Sequence, residues 1–310
     1  MTEDEKIAPD GSIADRATGA FVRAVAPCQH PQYDVNGNTV VAGNDGIKPP
    51  AHSWIVDGQA ATGWMDFISA TWTVPPNPGG SGQTLYFFPA LLPATEDQLL
   101  QPVLGWNIYG NGSTQWSMFS TQCCIVGDTY QSGITAGPTG AQVYGFVWGT
   151  ECNAETGLCG NWEISIQATG VNPVTVMTTA VEEPMSWSVS ATYEEYNITS
   201  CAQHPPSESI TFSNVTARQV GDIPVSPSWY AEYYGFSPAC NINFSSPSSS
   251  TATISWCVPT DPCTNQTCGE VLSDGCGGQV TCPACCKPPD IECGCGAGCI
   301  PAAECIRICH

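Results

Sequence analysis

Apolar and polar residues alternate with a period of two through much of the chain. In ISATWTV (68–74), Ile68, Ala70, Trp72 and Val74 alternate with Ser69, Thr71 and Thr73, and Pro75-Pro76 ends the run. WEISIQAT (162–169) puts Trp162, Ile164, Ile166 and Ala168 on one side and Glu163, Ser165, Gln167 and Thr169 on the other. TATISWCV (251–258) repeats the pattern with Ala252, Ile254, Trp256 and Val258, and QVYGFVW, VTVMTTAV and SITFSNV add further β-rich runs. Period-two patterning punctuated by Gly, Pro and Asn, with no long amphipathic helix, predicts an all-β fold, an antiparallel sandwich.

Three zones divide the chain. Residues 1–50 are polar and weakly periodic and read as a tail or propeptide-like segment. Residues 51–258 carry the strands. Residues 259–310 hold 11 cysteines and no Trp, Tyr or Phe, so this zone cannot build an ordinary core and needs disulfides or metal. The lone His310 and the 19 cysteines of the whole chain favour disulfides in an oxidising, extracellular compartment, with no metal and no cofactor expected. Because 19 is odd, one cysteine is left over by arithmetic. A Cys152–Cys159 bridge would staple the hairpin loop between QVYGFVW and NWEISIQAT. Cys-rich modules that bind polysaccharide do so through aromatic rings, and this one has none to offer. A spacer, a protease-resistant cap or a cell-surface attachment is expected instead.

Charge narrows the partners. Seven Lys and Arg against 28 Asp and Glu give 7 − 28 = −21, a field that repels nucleic acid and anionic lipid. No apolar run approaches the roughly 20 residues of a membrane span. The start, MTEDEKIAPDG, lacks the basic and apolar regions of a signal peptide. So few basic residues leave most carboxylates outside salt bridges, so tolerance of acid is expected.

Familiar catalytic arrangements are missing: there is no G-x-S-x-G elbow and no H-E-x-x-H, and His204 in CAQHPP reads as a loop residue. One polar residue interrupts an apolar run. Gln101, in DQLLQPVLGW, must satisfy its amide within the fold or use it in a cleft.

The segments ISATWTVP, QTLYFFPAL, LLQPVLGW, GNGSTQWSMF and TYEEYNITSC, in that order, resemble the landmarks of the glutamic peptidases, the eqolisin group, over about residues 68–217. The resemblance implies a concanavalin-like sandwich of two curved antiparallel sheets with a concave active site. It also implies a glutamate as general base on water and a glutamine amide as donor to the oxyanion. Gln101 falls on that glutamine. Glu194-Glu195-Tyr196 fits the acidic group that follows the family's base, but the base position itself is Ser190, and a second acidic position falls near Met118. By alternation Ser188, Ser190, Thr192, Glu194 and Tyr196 would share a face, making Glu194 the substitute base, with Glu182 and Glu183 behind it. Tyr86, Trp106, Trp116 and Ser190 would line the cleft. The expectation is an acid endopeptidase acting on extended polypeptide. The alternative is a non-catalytic relative whose cleft binds peptide or polysaccharide. The run CTNQTCGEVLSDGCGGQVTC further resembles Cys-rich repeats appended to secreted proteins of myxobacteria.

Overall fold

The computed structural model describes residues 54–260 except 126–127, 173, 236–237 and 239. Beyond these it describes short strand pieces between residues 5 and 40 and parts of 263–301. The strands of the sandwich are β1 (Trp54–Thr73), β2 (Thr84–Pro93), β3 (Leu99–Trp106), β4 (Trp116–Ile125) and β5 (Asp128–Gln131). They continue as β6 (Thr135–Ala136), β7 (Gln142–Thr150), β8 (Asn161–Ala168), β9 (Thr175–Thr179) and β10 (Met185–Tyr196). The series closes with β11 (Ser209–Gln219), β12 (Ile223–Val225), β13 (Tyr230–Gly235), β14 (Asn243–Ser248) and β15 (Thr251–Ser255). Every pairing is antiparallel, so the all-β sandwich expected from the alternation is the fold.

β1 belongs to both layers. Its first half pairs with β10 and β13, and its second half, from Met65 to Thr73, pairs with β7 and β11. The first sheet therefore runs β13-β1-β10-β2-β3-β4-β5, and the second runs β14-β15-β11-β1-β7-β8-β9. Gly63, at φ +81°, lies between the two halves, in a backbone conformation that a side chain would strain.

The alternating residues fill the space between the layers. Ile68, Ala70, Trp72, Val74, Trp162, Ile164, Ile166, Ala252, Ile254 and Trp256 are all buried in one core. Trp72 lies 5.0 Å from Phe212, and Phe87 stacks on Tyr193 at 4.5 Å. The two layers meet closely at Gly145 on β7: a Cβ there would stand 2.8 Å from Trp72 and 2.9 Å from Pro102.

Buried polar atoms also sit in this core. His204 caps the short turn Cys201–Gln203 and is fully buried, its Nδ1 2.7 Å from the Tyr193 hydroxyl and 3.1 Å from Glu195 Oε2. It is a loop residue, as the neighbouring prolines suggested, and one buried in the core. Burial pushes the His204 imidazole down to about 4 and the Glu195 carboxyl well up. Both groups are consequently neutral over the mildly acidic range, which avoids burying charge.

Among the described residues, disulfides join Cys152–Cys159, Cys201–Cys240, Cys257–Cys276 and Cys263–Cys282, and Cys123 is also disulfide-bonded. The hairpin staple expected at Cys152 and Cys159 is present. The side chain of Cys124 and most of the Cys-rich tail lie outside the described residues.

The bridges differ in sequence separation, 7 residues for Cys152–Cys159 and 39 for Cys201–Cys240. Loop-closure entropy then gives the longer loop about 1.5 kcal/mol more stabilisation. Urea unfolding of the two paired Cys→Ala variants should show the larger loss for Cys201→Ala/Cys240→Ala.

Candidate functional site

The strands in the middle of the first sheet are apolar on both faces, which explains the run around Gln101. In β3, Leu100, Leu104 and Trp106 face the main core. On the other face, Phe88, Ala90, Val103, Phe119 and Val189 form a second cluster and are nearly inaccessible, although no second sheet covers them among the described residues. Side chains of neighbouring strands and loops supply part of that cover. Ile108 completes the cluster, and Tyr86 and Ile134 pack against it. Tyr109 follows the Asn107 turn and lies 6.3 Å from Phe119, with its hydroxyl donating to Gln131 Oε1 at 2.7 Å. A short strap thus closes one side of a concave face.

Strand register places the polar groups on that face in rows. Gln101 pairs with Thr121, and Thr121 with Gln131. On its other side, Leu100 pairs with Leu91, which sets Gln101 level with Ala90; Ala90 pairs with Val189, and Val189 with Gln59. This row contains amides and a hydroxyl but no carboxylate. Gln101 is 7% exposed, and its carbonyl oxygen is buried without a hydrogen-bond partner.

The acids lie further along the strands. Glu232 pairs with Asp57 and Asp57 with Thr192, while Glu194 pairs with Tyr86, and Tyr86 with Gly105. Glu194 is therefore two strands across and four residues along from Gln101, roughly 17 Å at ordinary sheet spacings. It accepts a hydrogen bond from the Tyr196 hydroxyl at 3.1 Å. The Tyr86 ring packs edge-on against Tyr196, and its hydroxyl accepts from the Tyr109 backbone N–H at 3.1 Å. Gly105 makes room for that ring, since a Cβ would approach Tyr86 to 2.9 Å.

Burial pushes Asp57 up to about 6, with the Glu232 charge adding to the rise and hydrogen bonds from Thr192 and Gln59 opposing it. Burial and then the charge on Asp57 push Glu194 up to about 8, against the pull of the Tyr196 hydrogen bond. The two carboxyls repel each other when both are charged, so they titrate as a pair. In mild acid this face is close to neutral.

Several expected site residues lie elsewhere. Trp106 and Trp116 pair across β3 and β4, with ring centroids 5.4 Å apart, and sit inside the main core. They face away from Gln101 and do not line its cleft. Ser190 is also turned inward: its hydroxyl donates to the Gly58 carbonyl at 3.0 Å and is inaccessible. The cause is a register shift in β10 between Val189 and Thr192, a bulge that breaks the simple alternation. Ser188 is likewise on the core side, its hydroxyl 3.0 Å from that of Thr62. Val189, Thr192, Glu194 and Tyr196 share the outer face. Glu183 accepts from the Thr95 hydroxyl at 2.8 Å, and Glu182 is exposed; both precede β10. Of the expected set, Gln101, Tyr86 and Glu194 share the concave face. Asp57, Gln59 and Tyr109 were missed, although the inward series Val56, Gly58, Ala60 already implies that Asp57 and Gln59 point outward. Among the described residues there is no cluster of three or more potential metal ligands and no helix long and apolar enough to cross a membrane.

Fold and face together define an antiparallel β-sandwich with an amide-bearing, acid-edged concavity. No family model and no curated protein matches the chain. Among solved structures, scytalido-glutamic peptidase with a peptide-based transition state analogue is similar at 14% identity over 66% of this chain and 99% of that one, with a TM-score of 0.48. SCP-B, a member of the eqolisin family of peptidases in complex with the tripeptide Ala-Ile-His, is similar at 13% identity over 67% and 100%, with a TM-score of 0.44. Likenesses of this strength assign no role to any residue here.

The raised carboxyls predict how stability changes with pH. A carboxyl whose folded pKa exceeds its unfolded value stabilises fully below the unfolded value, and this stabilisation is lost as pH rises through the folded value. For Glu194 that window runs from 4.5 to about 8. His204 works in the opposite direction, but only between about 4 and 6.5. Urea midpoints should therefore fall between pH 6.5 and 8.5, and Glu194→Gln should flatten that fall.

Proposed function

We propose that the concave face of the first sheet binds an extended polypeptide in acidic, extracellular surroundings, with Gln101 pairing to the peptide backbone. The unpartnered Gln101 carbonyl oxygen, in a row of uncharged side chains, carries this reading. An amide offers both a donor and an acceptor, the complement of a backbone C=O and N–H, and its state does not change with pH. Tyr109, exposed on the strap beside Phe119, offers aromatic surface for a ligand side chain. The disulfides agree with an oxidising compartment.

The Asp57–Glu194 pair favours a second reading, hydrolysis. Two carboxyls with separated affinities can divide the work, the charged one taking a proton from water and the neutral one donating to the substrate carbonyl. Gln101 stands too far from Glu194 to serve as the oxyanion donor for a water activated there. In this version Gln101 only holds the chain.

Fluorescently labelled denatured protein at pH 4 separates the readings. Binding predicts an anisotropy increase without fragments and at least tenfold weaker affinity for Gln101→Ala. Hydrolysis predicts fragments from the wild type, lost in Asp57→Asn and Glu194→Gln, with Gln101→Ala raising KM. Neither anisotropy change nor fragments would remove both readings.

A further inference from the structure

The outer face of the second sheet carries a feature that the concave face does not use. On β7, Val143, Gly145 and Val147 face the core, so Tyr144, Phe146 and Trp148 all point outward. Tyr144 is 36% exposed and Trp148 42%, and four residues separate them, about 13 Å along a strand. Three rings in line on one strand make a strip. The strip is braced from one side: Phe146 stacks on Phe67 of β1 at 6.3 Å, and the Arg218 guanidinium lies 4.1 Å from the Phe67 ring centre.

The flanks of the strip are neutral. Register sets Thr71 and Gln167 on either side of Tyr144, and Ser69 and Ser165 on either side of Phe146. Only the Trp148 row brings ionisable groups, Glu163 and Arg218, and Arg218 is paired to Asp222 at 2.8 Å. On a chain of net charge −21 this is an unusually uncharged surface. An open cavity of about 500 Å³ continues the strip beyond Tyr144, lined by Thr71, Gln142, Gln167, Thr169 and Asn172 among others. These side chains offer amides and hydroxyls only.

We propose that this face is a binding platform for a neutral, extended polysaccharide. A pyranose ring presents C–H groups whose positive ends suit the negative face of an aromatic ring. Successive sugars can stack along Tyr144, Phe146 and Trp148, and the next sugar enters the cavity, where amides and hydroxyls pair with its hydroxyl groups. A polyanionic chain would be repelled by the surrounding acids. Tyr144 packs on Phe146 at 5.8 Å before the ligand arrives, which limits the ordering entropy lost on binding there. The platform would place a polypeptide-binding or hydrolytic face on the opposite sheet beside a polysaccharide matrix, and it stands independently of that face's function.

Calorimetric titration of the full chain with cellohexaose and with chitohexaose tests this directly. Binding of at least one is expected, weakened tenfold or more by Trp148→Ala and by Tyr144→Ala. Tyr130→Ala, an exposed aromatic of the first sheet, should leave it unchanged. The proposal fails if neither hexasaccharide binds, if both strip variants bind like the wild type, or if polygalacturonate binds more tightly than the neutral chains. It also fails if sedimentation shows a dimer that Trp148→Ala dissociates, because the strip would then be an interface between copies of this chain. Circular dichroism of each variant distinguishes a lost contact from a lost fold.

Discussion

Because β1 hydrogen-bonds β10 and β13 through one half and β7 and β11 through the other, its path sets how the two sheets lie on each other. Met65, fully buried, pairs with Met185 of the first sheet and Gln219 of the second, so the crossing is fixed by packing as well as by backbone bonds. A one-residue slip in β1 would turn Ile68, Ala70 and Trp72 outward and Asp57 inward, emptying the core and burying an acid. Both outer faces described above are therefore consequences of one register.

The electrostatics follow from the same arrangement. The first sheet carries apolar residues on both sides, so the acids at its margin lose hydration and hold their protons more strongly. Inside the core, Tyr193, Glu195 and His204 keep their polar atoms beside one another without carrying charge. In a protein with very few cations, Asp66 meets one, Arg218 at 3.8 Å, while Asp57, Glu194 and Glu195 are managed through protonation instead. This gives the acid tolerance expected from composition a local cause.

Much of this fold can be read where one face is polar. The segments around Trp72, Trp162 and Trp256 alternate cleanly, and their inward residues are the core residues. The reading fails where alternation carries no information. In β3 and β4 nearly every residue is apolar or small, so nothing in the sequence says which face Trp106 or Trp116 takes. In β10 a bulge changes the phase, which moved Ser188 and Ser190 inward, and bulges have no reliable sequence signature. Asp57 joins Glu194 only through pairing between strands more than 130 residues apart in sequence, which no local pattern encodes. Gln101 was legible because a lone amide in an apolar run is itself the anomaly.

Strands that are apolar on both faces also carry a hazard before the sandwich closes. TLYFFPALL and LLQPVLGW have no charge and are rich in residues that favour cross-β association between chains. Each contains a proline near its middle, Pro89 and Pro102, in sheet positions where proline is uncommon. A proline offers no N–H to a neighbouring strand, so a stack of identical segments would lose a hydrogen bond at every layer. The native sheet makes use of Pro102 against Gly145, whereas an aggregate would have no such partner for it. The same residue thus helps join the two layers of the folded protein and hinders the unfolded chain from polymerising.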